Sequence, residues 1–185
     1  MRHIYRYRNG PDDKLIQYGD NLAQMIEHRK QMKISLLADC PAATPQLAQW
    51  YFDEWAHKDP ETTLASVTEK VALGALNRDQ LPVAFVVQLE NQPVGAGELK
   101  YRELAEYPGM HDWLDGIYVP AAHRGKGIST LLIEFAKQKA TELALPALYL
   151  RCEAHNVKLY EKHGFHIICA RQHKLIMGCE LADQY

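Results

Sequence analysis

The sequence predicts one α/β domain with a mixed sheet, preceded by a short extension of different character. Three observations carry that prediction. Short apolar runs alternate with segments of helical periodicity from about Lys33 onward. A glycine-rich basic loop stands between a strand pattern and a helix pattern, at Val119 to Thr130. The length, 185 residues, suits one domain with a sizeable core, and 47% hydrophobic with 24% charged residues is ordinary for a globular chain.

The extension spans residues 1–32, and the domain is expected over 33–185. Residues 1–33 hold seven Lys/Arg against four Asp/Glu, so the remainder carries net −5. Arg2 to Tyr7 and Lys14 to Tyr18 flank a Gly10-Pro11 turn and read as a hairpin, after which Asp20 caps a polar helix through Met32. This segment is either a loosely attached arm or one that covers a substrate cleft or the partner subunit of a homodimer. Sequence alone leaves that choice open.

Ile34 to Ala38 reads as a first strand. Thr44-Pro45 marks a helix start, because proline at the first helical position lacks only an N–H that would be unpaired anyway. Leu47, Trp50, Tyr51 and Trp55 then share a helical face, and after Pro60 so do Leu64, Val67 and Val71, with Gly74 near the end. Val83 to Leu89 and Pro93 to Leu99, separated by Glu90-Asn91-Gln92, predict a β-hairpin. Residues 101–112 form a polar connection to the strand Trp113 to Val119. The helix after the loop turns Ile128, Leu131, Leu132 and Phe135 inward. A buried strand at Leu148 to Cys152, a short helix from Asn156 to His163 stopped by Gly164, and strands at Phe165 to Cys169 and Lys174 to Gly178 complete the chain.

Composition narrows the classes of function. A formal net charge of −2 lacks the basic footprint of a nucleic-acid binder. The longest apolar runs fall short of the ~18 residues of a membrane span, and the N-terminus carries no signal-peptide core. Asp12, Asp13 and Asp20 argue against a transit peptide, so the expected location is cytoplasmic, with Cys40, Cys152, Cys169 and Cys179 as free thiols. Cys152-x-x-His155 with His163-x-x-His166 has the elements of a metal set, but a strand-to-helix pattern runs through it, and loop and helix-end residues are the simpler reading.

The loop Arg124-Gly-Lys-Gly-Ile-Ser-Thr130 departs from a phosphate-binding P-loop, because Gly127 follows Lys126, and from a dinucleotide fingerprint, because Thr130 stands where a third glycine belongs. Alone it is a surface turn or an anion site at a helix start. In company it resembles the GNAT superfamily, the acetyl-CoA-dependent N-acetyltransferases. Arg124-x-x-Gly127-x-Ser129 is similar to that family's Arg/Gln-x-x-Gly-x-Gly/Ala, with serine at the last small position. Ile117-Tyr118-Val119 ends the strand before it. Leu159-Tyr160-Glu-Lys-His-Gly164-Phe165 is similar to the family's Leu-Tyr-x-x-x-Gly-Phe. The resemblance runs from about Lys33 to the C-terminus and implies a mixed, mostly antiparallel central sheet flanked by helices, an α+β arrangement.

The resemblance also implies acetyl-CoA as co-substrate and an amine as acceptor. Arg124, Gly125, Lys126, Gly127, Ile128, Ser129 and Thr130 would hold the pyrophosphate, and Ile117, Tyr118 and Val119 the pantetheine and acetyl oxygen. Tyr160 matches the tyrosine beside the thioester sulfur and is the candidate general acid, the alternative being a core tyrosine. Many relatives carry a glutamate where Trp113 stands. Asp115, which by two-residue alternation shares a face with Trp113 and Ile117, is the first candidate base, and Glu98 the second. Either is otherwise a structural acid or an ammonium anchor. Asn156 lies four residues before Tyr160, where relatives have asparagine seven before it; it is a coenzyme contact or a helix cap. Cys152 implies a ping-pong route or, more simply, a buried structural thiol. Trp50, Trp55 and Trp113 are core or pocket. Beside direct amine acetylation stand two other readings, transfer of a longer acyl group and a non-catalytic acetyl-CoA sensor.

Overall fold

The computed structural model describes residues 31–171 and 174–181, so the hairpin and most of the helix expected before Met32 lie outside the described residues. The elements are β1 (Met32–Leu36), α1 (Thr44–Glu54), α2 (Leu64–Gly74), β2 (Val83–Leu89), β3 (Gln92–Tyr101), β4 (Asp112–Tyr118), α3 (Ile128–Glu142), β5 (Ala147–Cys152), α4 (Val157–Glu161), β6 (His166–Arg171) and β7 (Lys174–Glu180). They form one seven-stranded sheet in the order β1-β2-β3-β4-β5-β7-β6. The β4–β5 pair is parallel and the others are antiparallel.

Local chemistry accounts for the element ends. The β2–β3 hairpin turns on Glu90 and Asn91, both at positive φ (51° and 64°), the combination whose twist matches the flanking strands. Thr63 and Ser66 cap α2 reciprocally, the Thr63 hydroxyl accepting from the Ser66 N–H and the Ser66 hydroxyl from the Thr63 N–H. Most boundaries shift by one to two residues from expectation, and both ends of β1 differ in kind. Met32 opens β1 instead of closing a helix, and the strand gives way at Leu37 to a 3-10 turn rather than running to Ala38. Thr44 is the first residue of α1, with Ala43 as its cap residue.

The sheet has helices on both faces. On one, α1 and α2 bury Leu47, Ala48, Tyr51, Val67 and Val71 against Ala84, Val86 and Ala96. On the other, α3 lays Ile128, Leu132, Ile133, Ala136 and Ala140 over Phe85, Val87, Leu99, Leu114, Leu148 and Leu150. β2 therefore divides its residues between two cores by strict alternation, which is why it reads as an unbroken apolar run. The expected inward face of α3 is present: Ile128 and Leu132 are fully buried, and Leu131 and Phe135 pack at its border. The face expected on α1 is only partly buried. Leu47 and Tyr51 are inside, whereas Trp55, just past the helix end, is 41% exposed.

Candidate active site

Two departures from regular pairing meet at β4. The first is a bulge toward β3. Glu98 pairs with Asp115 and Ala96 with Tyr118, so Gly97 alone faces Gly116 and Ile117. Gly116 sits at φ 62°, and a Cβ there would lie 2.8 Å from both Cζ and the hydroxyl of Tyr51 and 3.2 Å from Glu98 Oε2. Glycine is required on both counts, backbone region and space. The extra residue also resets the alternation. Ile117 packs into the α3-side core and Tyr118 into the α1-side core. Asp115 thus keeps the face of Trp113, but it does not share one with Ile117 as expected.

The second departure is a split from β5. The parallel ladder consists of the single pair Trp113↔Tyr149. Beyond it, Asp115 to Tyr118 have no ladder partner on β5. Such an edge can accept an extended amide-bearing chain as an added strand.

Next along the chain, the glycine loop turns from that edge into α3. Gly125 and Gly127 have φ of 76° and 80°, and a Cβ on either would meet nothing within 4 Å. The first bond into α3 runs from the Leu131 N–H to the Gly127 carbonyl at 3.2 Å. The N–H groups of Ile128, Ser129 and Thr130 have no acceptor within the helix, and Gly127 offers no side-chain cap. Unpaired donors, a positive helix end and half-buried Lys126 fit a pyrophosphate. Arg124 has a second task, its Nε donating to the Val119 carbonyl at 3.0 Å and so closing the loop onto the strand end.

On the α1-side face, acids and bases alternate across β3 and β4. Glu98 is 2% exposed, and its Oε2 lies 2.6 Å from Lys100 Nζ. Burial pushes its carboxyl up, and the opposing pull of Lys100 does not cancel that rise. Asp115 is 37% exposed and engaged at both oxygens: Oδ2 by Arg102, with Lys100 at 4.0 Å, and Oδ1 by the Gly116 N–H at 3.0 Å. The ring of Tyr51 is buried under the bulge, and its hydroxyl has no hydrogen-bond partner. Burial, then Glu98 and Asp115, hold that phenol well above its ordinary value. Trp113 is buried, its indole N–H shared between the carbonyls of Arg102 and Met110 at 3.3 and 3.1 Å. It anchors the β3–β4 connection and offers no proton acceptor.

Tyr160 lies in α4, 8% exposed and edge-on to Phe165. Burial first, then Cys152 and Asp115, raise its hydroxyl, which stays protonated at neutral pH. Asn156 is the residue before α4, but its side chain makes no capping bond. The Cys152 thiol is buried 3.5 Å from the Met177 sulfur, and burial raises it, the reverse of an activated nucleophile. Among the described residues no three His, Cys, Asp or Glu side chains are grouped to hold a metal, and no helix is long and apolar enough to cross a membrane.

Glu98, Asp115 and Tyr160 stand out in the sequence, whereas Lys100, Arg102 and the Tyr51 hydroxyl join them only in the fold. Lys100 was legible, since it follows Glu98 at the two-residue spacing of one strand face. Nothing in the sequence signals that a helical tyrosine hydroxyl ends beneath a bulge.

A parallel split beside β4, a bulge within it and a helix-capping glycine loop after it define an acyltransferase of the acetyltransferase class. The chain belongs to the Acetyltransferase (GNAT) family, whose profile matches residues 31–165. It is similar to "Putative phosphinothricin acetyltransferase YwnH" of Bacillus subtilis (strain 168), at 26% identity over 129 residues, 59% of this chain and 79% of that one. Its fold is similar to that of an aminoglycoside 6'-N-acetyltransferase complexed with coenzyme A (TM-score 0.65, 15% identity, 83% of this chain and 99% of that one). It is also similar to that of the PaiA N-acetyltransferase of Thermoplasma acidophilum in complex with coenzyme A (TM-score 0.56, 20% identity, 80% and 98%).

Proposed function

We propose that the protein transfers the acetyl group of acetyl-CoA to a primary amine by direct attack, with Glu98 as general base and Tyr160 as general acid. The observation that carries this reading is the line formed by the open β4 edge and the unpaired N–H groups that follow it. The edge from Ile117 to Val119 receives the pantetheine, and Arg124 to Thr130 hold the pyrophosphate. Coenzyme-A-bound proteins of similar fold support that choice of donor. Asn156, whose side chain is free of the helix end, is a further coenzyme contact.

The acceptor nitrogen loses a proton as it bonds the acetyl carbon, and the departing sulfur gains one. Glu98 is the better base on its surroundings. Its carboxylate is buried with a raised pKa, which brings proton affinity closer to neutral pH, whereas both oxygens of Asp115 already hold donors. As Glu98 is 2% exposed, the proton reaches it through a water or a side-chain hydroxyl. Asp115 orients the bulge instead. Tyr160, kept protonated by burial, donates to the sulfur as the carbon–sulfur bond breaks.

Two other readings remain testable: transfer of a longer acyl group, and a sensor that binds acetyl-CoA without turnover. The sensor reading rests on Trp113, which stands where relatives carry glutamate and has its indole N–H committed to backbone. Release of free thiol from acetyl-CoA, and from longer acyl-CoA esters, across a panel of amines separates the three. Tight coenzyme binding with no amine turned over would sink the catalytic reading.

A further inference from the structure

Four aromatic rings collect where β4 ends: Tyr51, buried in the α1-side core, and Trp50, Trp55 and Tyr118, which that core leaves partly or largely uncovered. Trp50 and Tyr118 rings are 5.4 Å apart at a tilt of 36°, Tyr51 and Trp55 are 5.6 Å apart, and Trp55 meets Tyr118 edge-on at 6.0 Å. Trp50 and Tyr51 come from the last turn of α1, Trp55 from the residue after it and Tyr118 from the end of β4, so the cluster borders the mouth of the β4–β5 split. Trp50 and Tyr118 are half-buried and Trp55 is exposed, so the cluster presents ring surface to solvent. Beneath it lie Glu98 and the unpartnered hydroxyl of Tyr51, which crowd the same point beside Gly116.

The charges behind this surface cancel in pairs. Lys100 faces Glu98 and Arg102 faces Asp115, so each acid there already has a cation beside it. What remains at the mouth is apolar ring area, the negative faces of indole and phenol rings, and one buried hydroxyl without a partner. A cationic amine on an apolar carbon frame matches all three. Its skeleton covers ring surface, its ammonium is attracted to the ring faces, and its nitrogen satisfies the hydroxyl.

Resting on the acetyl-transfer reading above, we propose that the acceptor is a primary amine on an apolar, ring-bearing or alkyl frame without a carboxylate, bound on Trp50, Trp55 and Tyr118. The Tyr51 hydroxyl accepts a hydrogen bond from its nitrogen. With its oxygen accepting from that nitrogen, the Tyr51 hydroxyl donates to Glu98, whose Oε2 crowds the same point beside Gly116 although the two are not hydrogen-bonded without the amine. The bound ammonium first releases one proton to solvent; as the neutral amine then bonds the acetyl carbon, its second proton passes to the Tyr51 oxygen and the phenolic proton to the Glu98 carboxylate, and no charge is left on the tyrosine. The competing attraction is Arg151 on β5, exposed and without an ion pair among the described residues, which would favour a carboxylate-bearing acceptor.

The test is steady-state thiol release from acetyl-CoA by the full chain with 2-phenylethylamine, phenylalanine and ethanolamine. The expected order of kcat/KM places 2-phenylethylamine about tenfold or more above the other two. Trp55→Ala, at an exposed position that leaves the core intact, raises the KM for that amine about tenfold and leaves the KM for acetyl-CoA unchanged. Tyr51→Phe lowers kcat with 2-phenylethylamine, and its folding is checked by an unchanged melting temperature. Faster turnover of phenylalanine or ethanolamine, or amine KM values indifferent to Trp55→Ala, overturns the proposal while acetyl transfer stands. Absence of turnover with every amine overturns both.

Discussion

Glu98 Oε2 and Lys100 Nζ are 2.6 Å apart on one strand face, and the carboxyl is nevertheless held above its ordinary range. The two statements agree once the terms are ordered. Removing a carboxylate from water raises its pKa, a nearby ammonium lowers it, and for a side chain 2% exposed the first term is larger. The pair therefore places a carboxyl of raised proton affinity inside the sheet.

That ordering predicts a pH profile. Glu98 must be ionised to accept a proton, so kcat/KM falls on the acid side through its raised pKa, above the usual glutamate range. Glu98→Gln lowers kcat by about 100-fold or more and removes the acid limb. Lys100→Met removes the largest influence opposing the rise, so the limb moves to higher pH. A limb that stays in place in Lys100→Met would remove Glu98 as the titrating base.

The same shift bears on stability, with a definite sign. A carboxyl whose folded pKa is raised binds protons more tightly when folded. Its favourable contribution is complete below the unfolded pKa and is lost as pH rises through the folded value. Thermal melts across that window should show the wild type losing stability with rising pH relative to Glu98→Gln.

Tyr160→Phe separates acid catalysis from packing. The ring stays edge-on to Phe165, so folding and coenzyme affinity are retained, while kcat falls about 100-fold where thiolate departure limits the rate. An unchanged kcat would take the role away from the hydroxyl.

Gly116→Ala tests the bulge. The added methyl meets the Tyr51 ring at 2.8 Å in a backbone region that L-residues disfavour, and should destabilise the protein by about 1–3 kcal/mol by thermal or urea unfolding. It also displaces the Asp115-bound turn, so activity falls further than stability alone explains. Wild-type stability in Gly116→Ala would show that the strand relaxes without the bulge.

At the coenzyme loop, Gly127→Ala meets no neighbour within 4 Å but strains a φ of 80°. Combined with Arg124→Ala, which releases the Val119 carbonyl, it should weaken acetyl-CoA binding about tenfold or more by calorimetry. An unaltered Kd would contradict the pyrophosphate assignment.

The order of elements, the hairpin turn at Glu90-Asn91, the inward face of α3 and the glycine loop were legible in the sequence, because each follows from neighbours a few residues apart. Periodicity, turn preference and cap chemistry act over that range. The motif residues Arg124, Gly127 and Tyr160 were legible for the same reason. The face of Ile117 was misread because one inserted residue inverts all alternation beyond it, and a glycine in a strand does not announce whether the chain bulges there. Glu98 is proposed ahead of Asp115 on burial and ion pairing, which are set by residues distant along the chain. Arg102 reaches across the β3–β4 connection, and Tyr51 arrives from a helix more than forty positions before Asp115. Sequence by itself determined the family, the element order and the loop at the helix start. Tertiary structure alone decided which acid is buried, which is tied down, and which aromatic rings border the split strand, since desolvation and charge pairing depend on distances through space.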